Sequence, residues 1–179
     1  MTTDLLIATP TGAEPWAATM RFRGGDFRAA IGRSGITADK REGDGASPLG
    51  AWPMRRLHYR ADRLILPAIA LPARAIRPED GWCDDPANRD YNRLVRRPFA
   101  ASHEKMWRED GLYDLVVELG YNDDPPVPGR GSAIFLHVAR PDFGPTAGCL
   151  ALAKADLLDA LTAIGPDAAV VFERLPPAT

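Results

Sequence analysis

Two side chains in the C-terminal third of the sequence have the types and spacing for covalent acyl chemistry. His137 ends the apolar run Ile134-Phe135-Leu136-His137, and Cys149 follows twelve residues later, directly after Gly148. A thiolate is a strong nucleophile, but a free cysteine has a pKa of about 8.5, so it needs a partner that takes its proton or pairs with its charge. A nearby imidazole does either. A glycine just before the nucleophile lets the backbone turn sharply, so that the amide N–H groups of Gly148 and Cys149 could point at a developing oxyanion. The twelve-residue loop is long enough to bring the strand end back to the cysteine. The bland alternative is equally simple: a cysteine beside a glycine is a small buried residue, and a histidine at a strand end is a hydrogen-bonded packing residue.

The elements that must position this pair read as short strands. Gly (16) and Pro (17) are spread through the 179 residues, so long helices are few. Apolar or β-prone runs at 5–8, 52–59, 115–119, 133–138 and 168–172 read as strands. The runs 19–22 and 27–31 flank Arg23-Gly24-Gly25-Asp26, which reads as the turn of a β-hairpin. Residues 38–52 read as loop, 67–90 as irregular surface structure, and 121–131 as a loop of Pro, Asp and Gly. Two helices are expected. In one, over 154–164, Leu157, Leu158, Leu161 and Ile164 fall on one face and Gly165-Pro166 ends it. The other runs over 102–110, with Ser102 as N-cap and Glu104 in its first turn. The sum is a mainly β fold with one or two packed helices, in one domain over 1–175, with a frayed tail at 176–179.

Composition narrows the chemistry. A formal net charge of −2 disfavours nucleic-acid binding, which needs a surplus of Lys and Arg. No apolar run approaches the roughly 20 residues of a membrane span. The N-terminus has no basic leader, and its apolar stretch is too short for a signal peptide. Two cysteines are too few for a disulfide scaffold. Three scattered histidines, with no Cys-x-x-Cys or His-x-x-x-His, speak against a zinc site, so an enzyme of this sequence would work with a side-chain nucleophile or an acid/base pair.

Thr146-Ala147-Gly148-Cys149 resembles the Ser/Thr-x-Gly-Cys signature of the L,D-transpeptidase (YkuD-type) catalytic domain. Lys40-Arg41-Glu42-Gly43-Asp44-Gly45-Ala46-Ser47-Pro48-Leu49-Gly50 is similar to an upstream Lys-x-x-Gly-Asp-x-x-Thr-Pro-x-Gly element of that family, with Ser47 for Thr. Tyr121-Asn122 and Gly131–His137 resemble the segment leading to the family's histidine, and Gly81–Pro86 with Tyr91-Asn92 resemble a bacterial subgroup. The similarity spans residues 5–173, and several ordered motifs together are far more specific than one. One departure is clear. Many members carry Arg two residues after the nucleophile, where this chain has Ala151; Arg140 could substitute in space.

The resemblance implies a single-domain β-sandwich of the L,D-transpeptidase type and a peptidoglycan substrate in the periplasm or cell envelope. It implies Cys149 as nucleophile, His137 as base and then acid, and Gly148 in the oxyanion turn. Thr146, Tyr121, Asn122 and Arg140 would bind substrate. Donor and acceptor stem peptides are the implied partners, carbapenem β-lactams the implied covalent inhibitors, and the resemblance implies that no metal or organic cofactor is required. Gly43, Asp44, Pro48 and Gly50 read as turn formers, Trp82 and Trp107 as packing residues, and Arg93, Arg96 and Arg97 as solvated surface. Cys83 reads as a buried inert thiol, a partner of Cys149 under oxidation, or, well behind, the nucleophile. Three rival functions stay open: hydrolysis of the same thioester by an L,D-carboxypeptidase, non-catalytic peptidoglycan binding, and a cytoplasmic cysteine hydrolase.

Overall fold

A computed structural model describes residues 3–175, and the expected frayed tail at 176–179 lies outside them. In chain order the elements are β1 (Leu5–Pro10), β2 (Ala17–Phe22), β3 (Gly25–Ala30), β4 (Ile36–Thr37), β5 (Ser47–Pro48), β6 (Gly50–Tyr59), β7 (Ala73–Ala75), β8 (Asp80–Cys83), β9 (Leu94–Arg96), β10 (His103–Lys105), β11 (Leu115–Leu119), β12 (Phe135–Val138), β13 (Leu150–Leu152), α1 (Lys154–Ala163) and β14 (Ala169–Phe172). The fold is mainly β with one helix.

The main sheet runs β11-β12-β13-β3-β2-β1-β14-β6-β7, and β6 also pairs with β11. Eight of these strands therefore close a ring, with β7 attached outside it. The sandwich expected from the sequence is replaced by this continuous closed sheet, which leaves no free edge along the ring. The hairpin forms as read: β2 and β3 pair from Ala17↔Ala30 to Phe22↔Gly25. Its two-residue turn is Arg23-Gly24, both at positive φ (48° and 80°), which matches the twist of the flanking strands.

Side chains alternate across the pleat, so the ring strands have two distinct faces. Leu115, Val117, Leu119, Leu136, Val138, Leu150 and Leu152 face one large apolar core, together with Leu6, Met20, Met54 and Phe172. The helix α1 packs Leu157, Ala160 and Leu161 into the same core. Val116, Phe135 and Cys149, on the opposite face, join a second cluster with Ile76, Trp82, Met106 and Tyr113. That cluster is covered by a small separate sheet, β10-β8-β9, which we call the lid sheet.

The lid sheet corrects two sequence expectations. Residues 67–90 are less irregular than they read, since β8 within them is buried along its length. The helix over 102–110 is absent. His103, Glu104 and Lys105 pair with Cys83, Trp82 and Gly81 of β8. The rest of the segment is held by the buried Arg60, just past the end of β6. Its guanidinium lies 3.6 Å above the Trp107 ring and its Nη1 donates to Arg108 O at 2.5 Å. These long-range contacts override a local helical preference, which is worth only tenths of a kcal/mol per residue.

Candidate active site

The strands β12 and β13 are parallel neighbours, with Leu136↔Leu150, His137↔Ala151 and Val138↔Leu152 in register. Paired residues project to the same side, and so do residues two apart. His137 and Cys149 therefore share the outward face, and both line a cleft of about 490 Å³ between the ring, the lid sheet and the 40–45 loop. Thr146 and Arg140 line the same cleft.

The turn before Cys149 is built by specific bonds. Thr146 Oγ1 donates to Cys149 O at 2.7 Å and accepts from Gly148 N at 3.1 Å. Ser47 Oγ donates to Gly148 O at 2.7 Å while accepting from Gly32 N at 3.0 Å. Gly148 sits at φ +141°, and a Cβ there would lie 2.8 Å from Ala46 O. Only glycine fits. Because Thr146 takes the Gly148 N–H, the Cys149 N–H is the one left without an acceptor among the described residues.

The two candidate reacting groups are both nearly buried, at 7% exposure each. Cys149 Sγ donates to Ala133 O at 3.2 Å and accepts from Phe135 N at 3.4 Å. Burial, and next the negative charge of Glu104, push the thiol up to about 12, against the Phe135 N–H and the positive charges of Lys40 and Arg108. His137 Nδ1 lies 2.8 Å from Val138 O. A carbonyl only accepts, so Nδ1 carries the proton and Nε2 carries the lone pair. Burial lowers the imidazole to about 4; Arg108 and Arg140 act in the same direction, against the Val138 bond and Asp110. At neutral pH the resting pair is a neutral thiol and a neutral imidazole. A proton transfer from sulfur must then accompany attack on an electrophile.

The cleft wall also draws on residues not read as site residues. Glu104 accepts a short hydrogen bond from Tyr113 Oη, and burial raises its carboxyl above the ordinary range. Tyr113 packs edge-on against the His137 ring at 5.3 Å between centroids. The buried Lys40 donates to Asp44 Oδ1 at 2.6 Å, and Asp44 also accepts from the N–H groups of Arg41 and Ala46. This makes Asp44 the organiser of the 40–45 loop, in keeping with its reading as a turn former. Glu42, also in the cleft wall, accepts from Tyr91 Oη at 2.5 Å and Ser132 Oγ at 2.7 Å. Glu104 reads as part of the first turn of a helix, and that reading hides its place beside the cleft.

Two expected substrate contacts are elsewhere. Tyr121 belongs to the inner core, edge-on to Trp52 at 4.8 Å, with its hydroxyl on Arg130 O. Asn122 staples its own loop, donating to Val127 O and Gly131 O and accepting from Val127 N. Neither lines the cleft, because chain proximity to His137 does not fix the face on which a side chain emerges. Buried Asn92, unread as a site residue, accepts from Trp82 Nε1 and Ala133 N and donates to Tyr121 O and Asn122 O. It ties the lid sheet to the segment that carries Ala133, the carbonyl partner of the thiol. Cys83 is a free, fully buried thiol outside the cleft lining, and Trp82 packs on Phe135 at 5.1 Å.

Residues 17–172 match the model of the YkuD family, the L,D-transpeptidase catalytic domain. The chain belongs to this family. No curated protein matches it. Among solved structures it is similar to the helical cell shape determining protein Pgp2 of Campylobacter jejuni, at 12% identity and a TM-score of 0.45. A lysine-to-alanine variant of Pgp2 matches at 13% identity and the same TM-score. Each match covers 97% of this YkuD-family chain but 48% of the other, so the chain spans about half their length. No helix among the described residues is long and apolar enough to cross a membrane.

Proposed function

We propose that this YkuD-family domain is a peptidoglycan L,D-transpeptidase working through a Cys149 thioester. The observation that carries the reading is the register of β12 and β13, which sets Cys149 and His137 on one face of one cleft. As Sγ attacks the carbonyl carbon of a donor stem peptide, His137 Nε2 takes the thiol proton. The unsatisfied Cys149 N–H is the donor for the oxyanion that forms. Collapse breaks the C–N bond, and His137 returns the proton to the leaving amine, the terminal D-Ala of a tetrapeptide. The acyl group stays on sulfur as a thioester. An acceptor-stem amine then attacks, His137 takes its proton, and the thiol reforms. Thr146 supports the turn, and Arg140 supplies positive charge at the cleft where the family often has Arg and this chain has Ala151. The work place that follows is the periplasm or cell envelope.

The test is product analysis with a tetrapeptide-stem donor and an amine-bearing acceptor stem. Cross-linked dimer with release of D-Ala is the expected product. Trimmed monomer alone would make the domain a carboxypeptidase, and turnover persisting in Cys149→Ala would remove Cys149 as nucleophile.

A further inference from the structure

The lid sheet does more than cover the apolar patch beside the cleft. Glu104 on β10 reaches back to the hydroxyl of Tyr113, which lies in the turn before β11. Tyr113 is buried, and its ring stands edge-on to two rings of β12: His137 at 5.3 Å and Phe135 at 6.0 Å. The guanidinium of Arg108 lies 5.0 Å from the same ring and is itself held by two bonds to Asp110. The phenol is thus fixed by one hydrogen bond at its tip and by packing around its body. Glu104 is equally constrained. Its strand is paired to β8, and the following residues are pinned by Arg60.

Among the described residues the imidazole of His137 makes one hydrogen bond, from Nδ1 to Val138 O, so rocking of the ring about that contact is limited by packing alone. Tyr113 is the aromatic neighbour that closes off this motion. We propose that Glu104 is a positioning residue: by holding Tyr113 against His137, it fixes the plane of the imidazole and so keeps Nδ1–H on Val138 O with Nε2 toward the cleft. The idea rests on His137 serving as the base. It explains why a carboxylate stands in the wall of a cleft whose thiol it opposes electrostatically. The hydrogen-bond acceptor is what the site uses, and the charge is incidental to it.

The variants Glu104→Ala, Glu104→Gln and Tyr113→Phe separate these roles, because a glutamine oxygen still accepts from the Tyr113 hydroxyl. Two readouts are taken on folded protein: kcat and KM with a tetrapeptide-stem donor, and long-range 1H–15N spectra of the histidine rings, with His137 assigned by its loss in His137→Gln. The parent is expected to show one His137 tautomer, protonated at Nδ1. Glu104→Ala and Tyr113→Phe should lower kcat by about tenfold or more, leave KM within about twofold, and mix or broaden the His137 signals. Glu104→Gln should retain the parent spectrum and most of kcat. A parent-like His137 spectrum in Glu104→Ala would overturn the proposal, as would unchanged kcat or a Glu104→Gln as impaired as Glu104→Ala. The spectra need no turnover. If the parent proves inactive on every donor, the proposed function falls, while the ring signals still decide the part played by Glu104.

Discussion

The two faces of β12 and β13 make very different demands on sequence. On the inner face, Leu136, Val138, Leu150 and Leu152 belong to a core shared with β1, β2, β3, β6, β11, β14 and α1, and a similar apolar set of the same volume would fill it. On the outer face, one residue away in each case, Phe135, His137 and Cys149 meet a few directional partners: carbonyls, an N–H and ring edges. The inner face is redundant and carries stability. The outer face is not redundant and carries the proposed chemistry. Truncations on the two faces should therefore separate stability from activity.

The largest effect belongs to the outer face. Cys149→Ala should lower turnover by at least about a thousandfold, as expected when a nucleophile is removed, while a denaturant melt shows less than about 1 kcal/mol of lost stability. Leu150→Ala, one residue away but facing inward, should show the reverse: about 2–5 kcal/mol less stable, with activity per folded molecule nearly retained. If the two variants lost activity alike in fully folded protein, the faces would not be separable.

A third prediction concerns acid. The imidazole of His137 sits near 4 in the folded chain against about 6.5 unfolded. Its contribution to stability is therefore intact above pH 6.5, and it is lost as pH falls from there to about 4, where the unfolded chain takes up the proton and the folded one does not. The loss should be roughly 3 kcal/mol across that window. A urea-melt series in parent and His137→Gln should show a steeper fall in the parent. Parallel curves would contradict the buried neutral imidazole. Gly148→Ala should cost at least about 2 kcal/mol, since it places Cβ against Ala46 O at a φ that L-residues avoid. The smallest effect is Thr146→Val, which loses two bonds around the turn and should cost about 1–2 kcal/mol with a partial loss of kcat.

The same contrast explains what the sequence made legible. Redundant apolar patterning is periodic, so β11, the β2–β3 hairpin and α1 were readable from runs and turn residues. The pair His137 and Cys149 was readable because a strand end, a loop and a Gly-Cys turn lie close along the chain, and the ordered motifs identified the family. The lid sheet was not readable. Its outer strands have three residues each, too short for a period to register, and its partners are distant in sequence. For that reason 102–110 reads as a helix, and the sequence points neither to Tyr113 beside His137 nor to Glu104 on the Tyr113 hydroxyl. Tyr121 and Asn122 lie off the cleft for another reason: their motif resembles the family's, but a motif does not say which face a side chain occupies. Ring closure was likewise invisible, since it depends on β6 pairing with both β11 and β14.

The central claim is that Cys149 accepts an acyl group despite its buried, neutral resting state. Intact-protein mass spectrometry after exposure to a carbapenem, with Cys149→Ala alongside, tests it most directly. The account predicts that the parent gains the mass of one β-lactam and the variant gains none. A parent that stays unmodified while folded and reduced, or an adduct that persists in Cys149→Ala, would contradict it.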